Sequence, residues 1–249
     1  MGRDEPAIVM IPSRLGSSRL PRKPLAKIGD APMIVQVWRR AMEANIGRVV
    51  VACGDLEIAD VVVAAGGEAV MTSPDLPSGS DRIFEALEKI DPEGAFGKVI
   101  NLQGDLPNID PTAVARVLEP LTNPEVQIAT LAVKIRDEEE RYDPNVVKVV
   151  AGLGDSMPIA RGLYFTRAMA PAGRGDLWHH IGIYAYQRSA LAKFVSLQPS
   201  VLETREKLEQ LRALEAGMRI DVALVDLLPI GVDTPADLEK VRRLFMSDE

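Results

Sequence analysis

Two hydrophobic periods alternate along the first half of the chain. Short apolar runs predict buried strands at Ala7–Pro12, Arg48–Ala52, Glu68–Met71 and Lys98–Leu102. Apolar residues at helical spacing follow these runs and predict helices at Met33–Met42, Ile58–Ala65, Ser80–Lys89 and near Thr112–Leu118. Strands that alternate with helices are typical of βα units, so we expect a largely parallel sheet with helices on its faces.

The pattern changes in the middle third of the chain. Apolar runs recur there without helical stretches of comparable length between them, at Ile128–Val133, Val146–Val150, Leu163–Thr166 and Ile181–Tyr186. The segment Ala168–Trp178 contains glycine and proline and predicts a loop. Toward the C-terminus the pattern predicts a strand at Ile220–Val225 and helices at Arg188–Leu197, Leu202–Glu215 and Pro235–Phe245. We therefore predict one α/β domain, residues 1–249, with a mostly parallel, mixed sheet flanked by helices and an inserted antiparallel lobe at roughly 128–186.

Composition excludes several classes of protein. The 249 residues include 29 Lys and Arg against 36 Asp and Glu, a net charge of −7, so we expect no nucleic-acid partner. One cysteine, Cys53, excludes an internal disulfide and a multi-cysteine zinc site, and two histidines exclude a histidine-rich metal centre. The N-terminus is acidic and no apolar run reaches about 20 residues, so we expect a cytoplasmic protein without a membrane partner.

Positive charge is concentrated in one short segment of this acidic chain. The segment follows the first predicted strand, at the end of the sheet where α/β proteins bind ligands. Its glycine and serines, Gly16, Ser17 and Ser18, allow backbone N–H groups to approach a ligand, and its cations suit phosphate oxygens. A solvated basic loop is the alternative, but the segment favours a ligand with several negative charges. Between Ser13 and Lys27 it contains no carboxylate and five cations: Arg14, Arg19, Arg22, Lys23 and Lys27.

The same segment resembles a known family. Ile11–Leu25 is similar to the opening of the cytidylyltransferases that activate 3-deoxy-manno-octulosonate (Kdo). The resemblance implies a Rossmann-like nucleotidyltransferase fold and a product, CMP-Kdo, that feeds lipopolysaccharide assembly. We also expect a homodimer formed through the inserted lobe and the Ala168–Trp178 region. Further blocks of that family follow in order, at Ser78–Arg82, Asn101–Asp105, Pro144–Lys148, Leu163–Arg167, His180–Tyr184, Leu208–Arg212 and Gly231–Pro235.

The family implies that the anomeric hydroxyl of Kdo attacks the α-phosphorus of CTP and that pyrophosphate is released. By resemblance, Arg14 and Lys23 hold the phosphates and stabilise charge that develops during transfer, while Arg19 supports the loop. Ser80 and Arg82 stand at the start of a predicted helix, where an N-terminus favours an anion or a base edge. The implied nucleotide-binding residues are Arg14, Ser17, Arg19, Lys23, Ser80 and Arg82.

A magnesium ion is the implied cofactor, and it needs only one or two carboxylates in addition to phosphate oxygens and water. Asp105 is the first candidate ligand because it comes soon after the strand Lys98–Leu102, at the same edge of the sheet as the basic segment. An aspartate that merely belongs to a turn explains this position equally well.

Asp233 is the second candidate ligand, and the helix that follows it explains why. Thr234 suits the N-cap, Pro235 the first helical position, and Asp237 the carboxylate partner of a capping box. Asp233 has no part in the cap and is therefore free to bind a metal. The predicted catalytic residues are Arg14, Lys23, Asp105 and Asp233, with the two aspartates as metal ligands.

The site for the sugar acid has to recognise a carboxylate and several hydroxyls, which calls for polar side chains. Two of the residues implied for it have a plainer interpretation. Glu209 also fits a solvated helix face with an i,i+4 pair to Arg205, and His180 also fits a core histidine at the start of a strand. The residues to which the resemblance points are Gln103, Arg167, His180, Tyr184, Glu209 and Gln210.

Three positions depart from the family pattern and keep other functions open. Leu76 stands where histidine is frequent, Arg22 where glycine is more usual, and Leu106 where many members have glutamate. These changes leave room for a modified acceptor, such as an amino-substituted Kdo or a neuraminic-type acid. A nucleotide-sugar glycosyltransferase is a competing interpretation, although such enzymes usually carry an Asp-x-Asp motif. A catalytically silent nucleotide or sugar sensor is the alternative outside the enzymes.

Overall fold

The computed structural model describes residues 6–16 and 19–247, and these form two compact units. The first unit comprises the chain up to Ala115 and from Pro229 onward, and the second comprises Arg116–Leu228. The second unit is longer at both ends than the lobe expected at roughly 128–186. That the chain is a single domain with an inserted lobe stays a prediction.

The secondary structure alternates as expected in the first unit and is richer in strands in the second. The strands are β1 Ala7–Ser13, β2 Lys27–Ile28, β3 Ala31–Pro32, β4 Arg48–Cys53, β5 Glu68–Met71, β6 Lys98–Asn101, β7 Ile128–Lys134, β8 Lys148–Ala151, β9 Ile159–Thr166, β10 Trp178–Gln187 and β11 Ile220–Leu224. The helices are α1 Met33–Glu43, α2 Leu56–Ala64, α3 Gly79–Ile90, α4 Pro111–Arg116, α5 Glu138–Tyr142, α6 Arg188–Ser196, α7 Val201–Glu206, α8 Gln210–Glu215 and α9 Pro235–Ser247.

A parallel sheet forms the centre of the first unit. Its strands lie in the order β5, β4, β1 and β6, and every neighbouring pair is parallel. Helices α1, α2 and α3 pack on this sheet. The aliphatic residues of β1 from Ile8 to Ile11 are completely buried, as is typical of a parallel strand covered on both faces. Each such side chain contributes roughly 1.5–3 kcal/mol to stability, so β1 is a firm base for the loop that follows it.

The second unit is a mixed sheet in which antiparallel pairs dominate. Its strands lie in the order β10, β7, β11, β9 and β8. The β7 and β11 strands are parallel, whereas the β10–β7, β11–β9 and β8–β9 pairs are antiparallel. A short antiparallel pairing also joins β10 to β8. The prediction of antiparallel strands in the middle third is therefore confirmed, while its role in dimerisation stays a prediction.

One predicted helix is wrong as a single element. The expected helix Leu202–Glu215 is divided into α7 and α8, because Lys207 adopts a left-handed conformation with φ of 57°. Ser200 and Glu203 form a capping box at the start of α7, and the Leu208 N–H donates to the Glu203 carbonyl oxygen just after the helix ends. The periodicity of apolar residues continues across the break, so it does not reveal the turn.

Within residues 6–16 and 19–247, no helix combines the length and the apolar character that crossing a membrane requires.

Candidate active site

A cleft of about 380 Å³ opens in the first unit where β1 and β6 end. The two strands are parallel neighbours, so the segments that follow them emerge at the same edge of the sheet. The cleft brings together six residues that the sequence predicted for the site: Arg14, Arg19, Lys23, Arg82, Gln103 and Asp105. Another predicted residue, Ser17, lies outside the described residues.

Gly104 shows how closely the two strand ends approach each other. A Cβ atom at this position would lie 2.9 Å from the carbonyl oxygen of Pro12, which is closer than real Cβ contacts. Glycine therefore allows the backbone after β6 to pass against β1. The neighbours of Gly104, Gln103 and Asp105, are thereby held at the wall of the cleft.

Lys23 is shared by the two predicted metal ligands. Its Nζ donates to Asp105 Oδ2 at 2.8 Å and to Asp233 Oδ1 at 3.0 Å. Arg19 Nη2 lies 3.0 Å from the other oxygen of Asp233, Oδ2. We call these four residues, Arg19, Lys23, Asp105 and Asp233, the lysine–carboxylate cluster.

The electrostatics of the cluster keep Lys23 charged. Its side chain is 15% exposed, and this burial lowers the pKa of the ammonium. The charges of Asp105 and Asp233 and their hydrogen bonds act in the opposite direction and outweigh burial, so the pKa of Lys23 is raised. Lys23 is therefore protonated and has the positive charge that binding a phosphate requires.

The local fold leaves the carboxylate of Asp233 outside the helix cap, as the sequence predicted, while its backbone N–H donates to Asp237 Oδ2 at 3.4 Å. Asp237 Oδ2 accepts from the Thr234 backbone N–H at 3.0 Å, and Thr234 Oγ1 accepts from the Asp237 N–H at 3.2 Å. The Val232 N–H donates to the Asp105 carbonyl oxygen at 3.0 Å, which joins the two aspartate-bearing segments. Asp233 is thus positioned by its neighbours while its own carboxylate faces Lys23.

The N-terminal turn of α2 holds both sides of the basic segment. Asp55 Oδ2 accepts the Leu15 backbone N–H at 2.7 Å, and Glu57 forms an ion pair with Arg22 at the surface. Arg22 has a φ of 57°, in the left-handed region that favours glycine. This conformation gives a physical reason for the glycine that is more usual at this position.

Arg82 has a different environment from the other arginines of the cleft. Its guanidinium is buried and donates to Thr72 Oγ1 and to the carbonyl oxygens of Ser73 and Pro74. Burial and the nearby charge of Arg14 lower the pKa of Arg82. Arg82 therefore lines the cleft and also fixes the loop beside it.

Gly54 makes room for both arginines. A Cβ atom there would lie 2.8 Å from Arg82 Nη1 and 3.2 Å from the Cβ of Arg14. This role was not predicted from the sequence, although the position of Gly54 two residues after the predicted strand Arg48–Ala52 is a usable signal. Ser78 and Gly79, which line the cleft, were not predicted either, whereas the predicted Ser80 is buried in the first turn of α3. Ser78 has a visible signal, because it caps α3 by accepting from the Asp81 N–H.

Several predicted acceptor residues lie together in the second unit. His180 is partly buried, with its ring centroid 4.9 Å from that of Phe165 and 5.5 Å from that of Tyr184. Its Nε2 lies 2.9 Å from Thr130 Oγ1, and that hydroxyl is also within 2.8 Å of the Ile183 carbonyl oxygen. Because only the hydroxyl can donate to a carbonyl, all groups are satisfied when His180 Nε2–H donates to Thr130.

The same environment sets the charge of these side chains. Burial lowers the pKa of His180 to about 3, so the imidazole is neutral near pH 7. Burial raises the pKa of Tyr184 well above its usual value, and the negative charge of Glu209 adds to the effect. His180, Tyr184 and Glu209 thus form one neighbourhood with a neutral imidazole and a neutral phenol.

Arg212 contacts two glutamates across the break in the helix. Glu203 accepts from Arg212 Nε at 2.9 Å and Nη2 at 2.7 Å, and Glu209 Oε1 is 3.6 Å from the same guanidinium. Because the helix breaks at Lys207, Arg205 and Glu209 do not lie one turn apart on a continuous helix. Gln210 is buried, and its Nε2 has no hydrogen-bond partner within the part of the chain that the structure describes.

Arg167 is held at the end of β9. Its Nε donates to the Glu206 carbonyl oxygen at 2.8 Å, and Nη1 donates to the Pro144 carbonyl oxygen at 2.9 Å. Its backbone N–H donates to the Glu206 carboxylate at 3.0 Å. These contacts join the blocks Pro144–Lys148 and Leu163–Arg167 to the last residue of α7 and fix the guanidinium in place.

The donor set of the first unit suits magnesium. The two predicted ligands, Asp105 and Asp233, both contact the ammonium of Lys23 and therefore lie close together. Two carboxylates are hard oxygen ligands, and magnesium completes its shell with water and phosphate oxygens.

Comparison with known proteins places this arrangement in a family. The sequence profile described as "Cytidylyltransferase" matches residues 8–220. The 3-deoxy-manno-octulosonate cytidylyltransferase of Parvibaculum lavamentivorans is 63% identical over 235 residues, covering 94% of this chain and 91% of the relative. The chain belongs to this family. The protein of the same name from Paramagnetospirillum magneticum is 58% identical over 238 residues, covering 96% of this chain and 97% of the relative.

Solved structures agree with this assignment. A CMP:2-keto-3-deoxy-manno-octonic acid synthetase complexed with CTP superposes with a TM-score of 0.89 at 40% identity, covering 98% of this chain and 99% of that one. The 4-diphosphocytidyl-2C-methyl-D-erythritol synthase of Anaerococcus prevotii has a TM-score of 0.66 at 13% identity, with coverage of 98% and 100%, and shares the fold alone. The resemblance identified from the sequence is thus confirmed, together with the enzyme class.

Proposed function

We propose that this protein transfers CMP from CTP to Kdo and releases pyrophosphate. The observation that carries the proposal is the lysine–carboxylate cluster, placed where β1 and β6 end in a chain that is 63% identical to a named Kdo cytidylyltransferase. In the reaction, a bond forms between the anomeric oxygen of Kdo and the α-phosphorus. The bond from the α-phosphorus to the bridging oxygen breaks, and the hydroxyl loses its proton.

The basic residues of the cleft match a triphosphate. Arg14, Arg19 and Lys23 line one cavity and supply forked guanidinium donors and a point charge. Such groups stabilise negative charge that moves onto the pyrophosphate as it leaves. Arg82 supports them, because it fixes the loop that forms the neighbouring wall.

Asp105 and Asp233 would hold the magnesium ion that the family implies. When bound, the ion supplies charge neutralisation at the phosphate oxygens. The two aspartates are well suited to this task because their carboxylates already meet at one point, the ammonium of Lys23. Their own contribution is to orient the cation in the cleft.

For the acceptor, the family resemblance assigns the sugar acid to six residues: Gln103, Arg167, His180, Tyr184, Glu209 and Gln210. The neutral His180 and Tyr184 offer hydrogen bonds to hydroxyl groups, and Arg167 offers a guanidinium to a carboxylate. Glu209 and the buried amide of Gln210 add an acceptor and unpaired donors. A cytoplasmic homodimer that supplies lipopolysaccharide assembly completes the proposal, and sedimentation at micromolar concentration tests the dimer.

The test is pyrophosphate release from CTP and magnesium with three parallel acceptors: Kdo, an amino-substituted Kdo and a neuraminic acid. We expect release with Kdo, its loss in Asp105→Asn, and its retention in Asp60→Asn, which makes the same chemical change at an exposed position on α2. Pyrophosphate release with only one of the other acids would identify that acid as the acceptor and leave the proposed mechanism unchanged. No release with any of the three acids would overturn the proposal.

A further inference from the structure

Both carboxylates that would bind the metal are paired with cations of the chain itself. Lys23 Nζ bridges Asp105 Oδ2 and Asp233 Oδ1 at 2.8 Å and 3.0 Å, and Arg19 Nη2 is 3.0 Å from Asp233 Oδ2. Both oxygens of Asp233 and one oxygen of Asp105 are therefore engaged. A divalent cation needs those same oxygens at about 2.0–2.1 Å.

The charges within the cluster balance. Two carboxylates face one ammonium and one guanidinium, so the four side chains are together neutral. A divalent cation that enters without nucleotide is repelled by two positive charges, and both negative charges are already paired. Since magnesium also gives up its water reluctantly, we expect the neutral cluster to bind it weakly.

We propose that Lys23, assisted by Arg19, is a built-in competitor of the divalent cation, so that the enzyme takes up metal effectively only together with the nucleotide. The inference rests on the proposed function. The triphosphate of CTP supplies the anion to which Lys23 and Arg19 transfer, and this transfer frees the carboxylates. Metal and nucleotide affinities are then coupled, and the coupling acts equally in both directions.

The backbone around Lys23 is suited to such an exchange. Lys23 begins a short 3-10 helix with the buried Pro24, and its backbone N–H donates to the Leu20 carbonyl oxygen at 3.2 Å. The backbone is thereby held, while the ammonium sits at the end of a flexible four-carbon stem. The exchange then needs only side-chain rotation within one cleft, which Lys23 and Asp105 both line.

The test measures binding of Mn²⁺, as a probe for the metal, to the full-length protein without CTP or Kdo. The electron paramagnetic resonance signal of free Mn²⁺ falls when the ion binds. Lys23→Met removes the charge and keeps a similar length, so we expect Mn²⁺ affinity to rise about tenfold or more over the wild type. Lys27→Met is the matched control, because Lys27 is an exposed lysine of the same segment, and we expect it to resemble the wild type.

Two further variants separate charge from misfolding. Lys23→Arg keeps the cation and should bind Mn²⁺ as weakly as the wild type. The double variant Lys23→Met with Asp105→Asn should lose the gained affinity if the ion uses the cluster. Circular dichroism confirms that each variant is folded.

Unchanged Mn²⁺ affinity in folded Lys23→Met, or strong binding by the wild type or Lys23→Arg, would overturn the inference. These measurements use no acceptor and no turnover. The gain in Mn²⁺ affinity can therefore be observed in a protein that releases no pyrophosphate, and it can be absent from one that does. A failure of this inference is thus distinguishable from a failure of the proposed function.

Discussion

The two units build their candidate sites from opposite kinds of side chain. In the first unit, charged groups outside the strands and α-helices meet in the lysine–carboxylate cluster, where every contact is an ion pair. In the second unit, His180 and Tyr184 stand on β10, and their rings belong to an aromatic series that continues to Tyr186 and Phe194. The first arrangement manages charge, and the second keeps polar groups neutral by burial.

The contrast extends to how the units respond to acid. Both histidines of the chain, His179 and His180, lie in the second unit, and burial lowers their pKa values to about 4 and about 3. In the first unit, a carboxylate has a pKa that is lowered strongly. A hydrogen bond from Lys89 is the largest cause that lowers the pKa of Glu85 to about 2.

The largest expected effect is on catalysis in the first unit. Arg14→Ala should lower kcat by roughly 10²–10³-fold, the usual effect of losing one group that stabilises transition-state charge. The free energy of unfolding should change by less than about 0.5 kcal/mol, because Arg14 lies near the like charge of Arg82. Steady-state kinetics and urea unfolding measure the two quantities.

Arg40→Ala is the control for Arg14→Ala, since Arg40 pairs only with Glu43 on the surface of α1 among the contacts that the structure gives it. It should retain full kcat. If Arg14→Ala lowered the free energy of unfolding and left kcat unchanged, Arg14 would stabilise the fold and not the transition state.

The second effect is a loss of stability in mild acid that is confined to the second unit. Histidines with lowered pKa values bind protons more readily in the unfolded chain. Stability is therefore complete above about pH 6.5 and falls toward pH 4, by at most about 1.4 kcal/mol per pH unit for each histidine. The lowered pKa of Glu85 has the other sign: its contribution is complete above about pH 4.5 and is lost toward pH 2.

One tryptophan in each unit allows the comparison to be measured. Trp178→Phe leaves Trp38 in α1 as the reporter of the first unit, and Trp38→Phe leaves Trp178 in β10 as the reporter of the second. Between about pH 7.5 and about pH 5, the urea midpoint should fall more for Trp178. His179→Gln and His180→Gln should each flatten that dependence, and equal shifts at both tryptophans would contradict it.

The third effect is a gain in stability at the helix break of the second unit. Lys207→Gly should stabilise the protein by about 0.5–1 kcal/mol, because glycine adopts the left-handed conformation without steric cost. Lys207→Ala removes the same charge and keeps the strain, so it should show no such gain. Urea unfolding of both variants measures the difference, and equal stability would show that the turn carries no strain.

The smallest effect is expected at the matching left-handed residue of the first unit. Arg22→Gly relieves the same strain and also loses the surface ion pair with Glu57, so its net gain should be smaller than that of Lys207→Gly. Arg22→Ala loses the ion pair and keeps the strain, and it should be the less stable of the two variants. Thermal unfolding compares them, and a more stable Arg22→Ala would contradict the assignment of strain.

Much of the first unit could be predicted because its signals are local. The strands predicted at Ala7–Pro12 and Arg48–Ala52 are each one residue longer in the structure. Buried parallel strands appear in a sequence as short apolar runs, and amphipathic helices as a repeat of about 3.6 residues. Neither signal needs information from distant parts of the chain.

The break at Lys207 shows where local signals end. Residues on both sides keep helical spacing, but Leu208 and Leu211 are buried and Arg212 turns back to Glu203. These contacts favour two short helices over one long helix. The same break brings Glu203 and Arg212, which are nine residues apart, to 2.7 Å from each other, a contact that helical spacing does not predict.

The order of residues alone establishes which chemical groups this protein has and which short elements they follow: a basic segment after the first strand, an aspartate soon after a later one, and Asp233 just before a helix. That one ammonium contacts both aspartates follows from the fold, because Lys23 lies 82 residues from Asp105 and 210 residues from Asp233 along the chain. Such a pairing depends on how the buried strands bring distant loops to one edge of the sheet. No local sequence pattern predicts this pairing of Lys23 with two distant aspartates, since it depends on the packing of the whole unit.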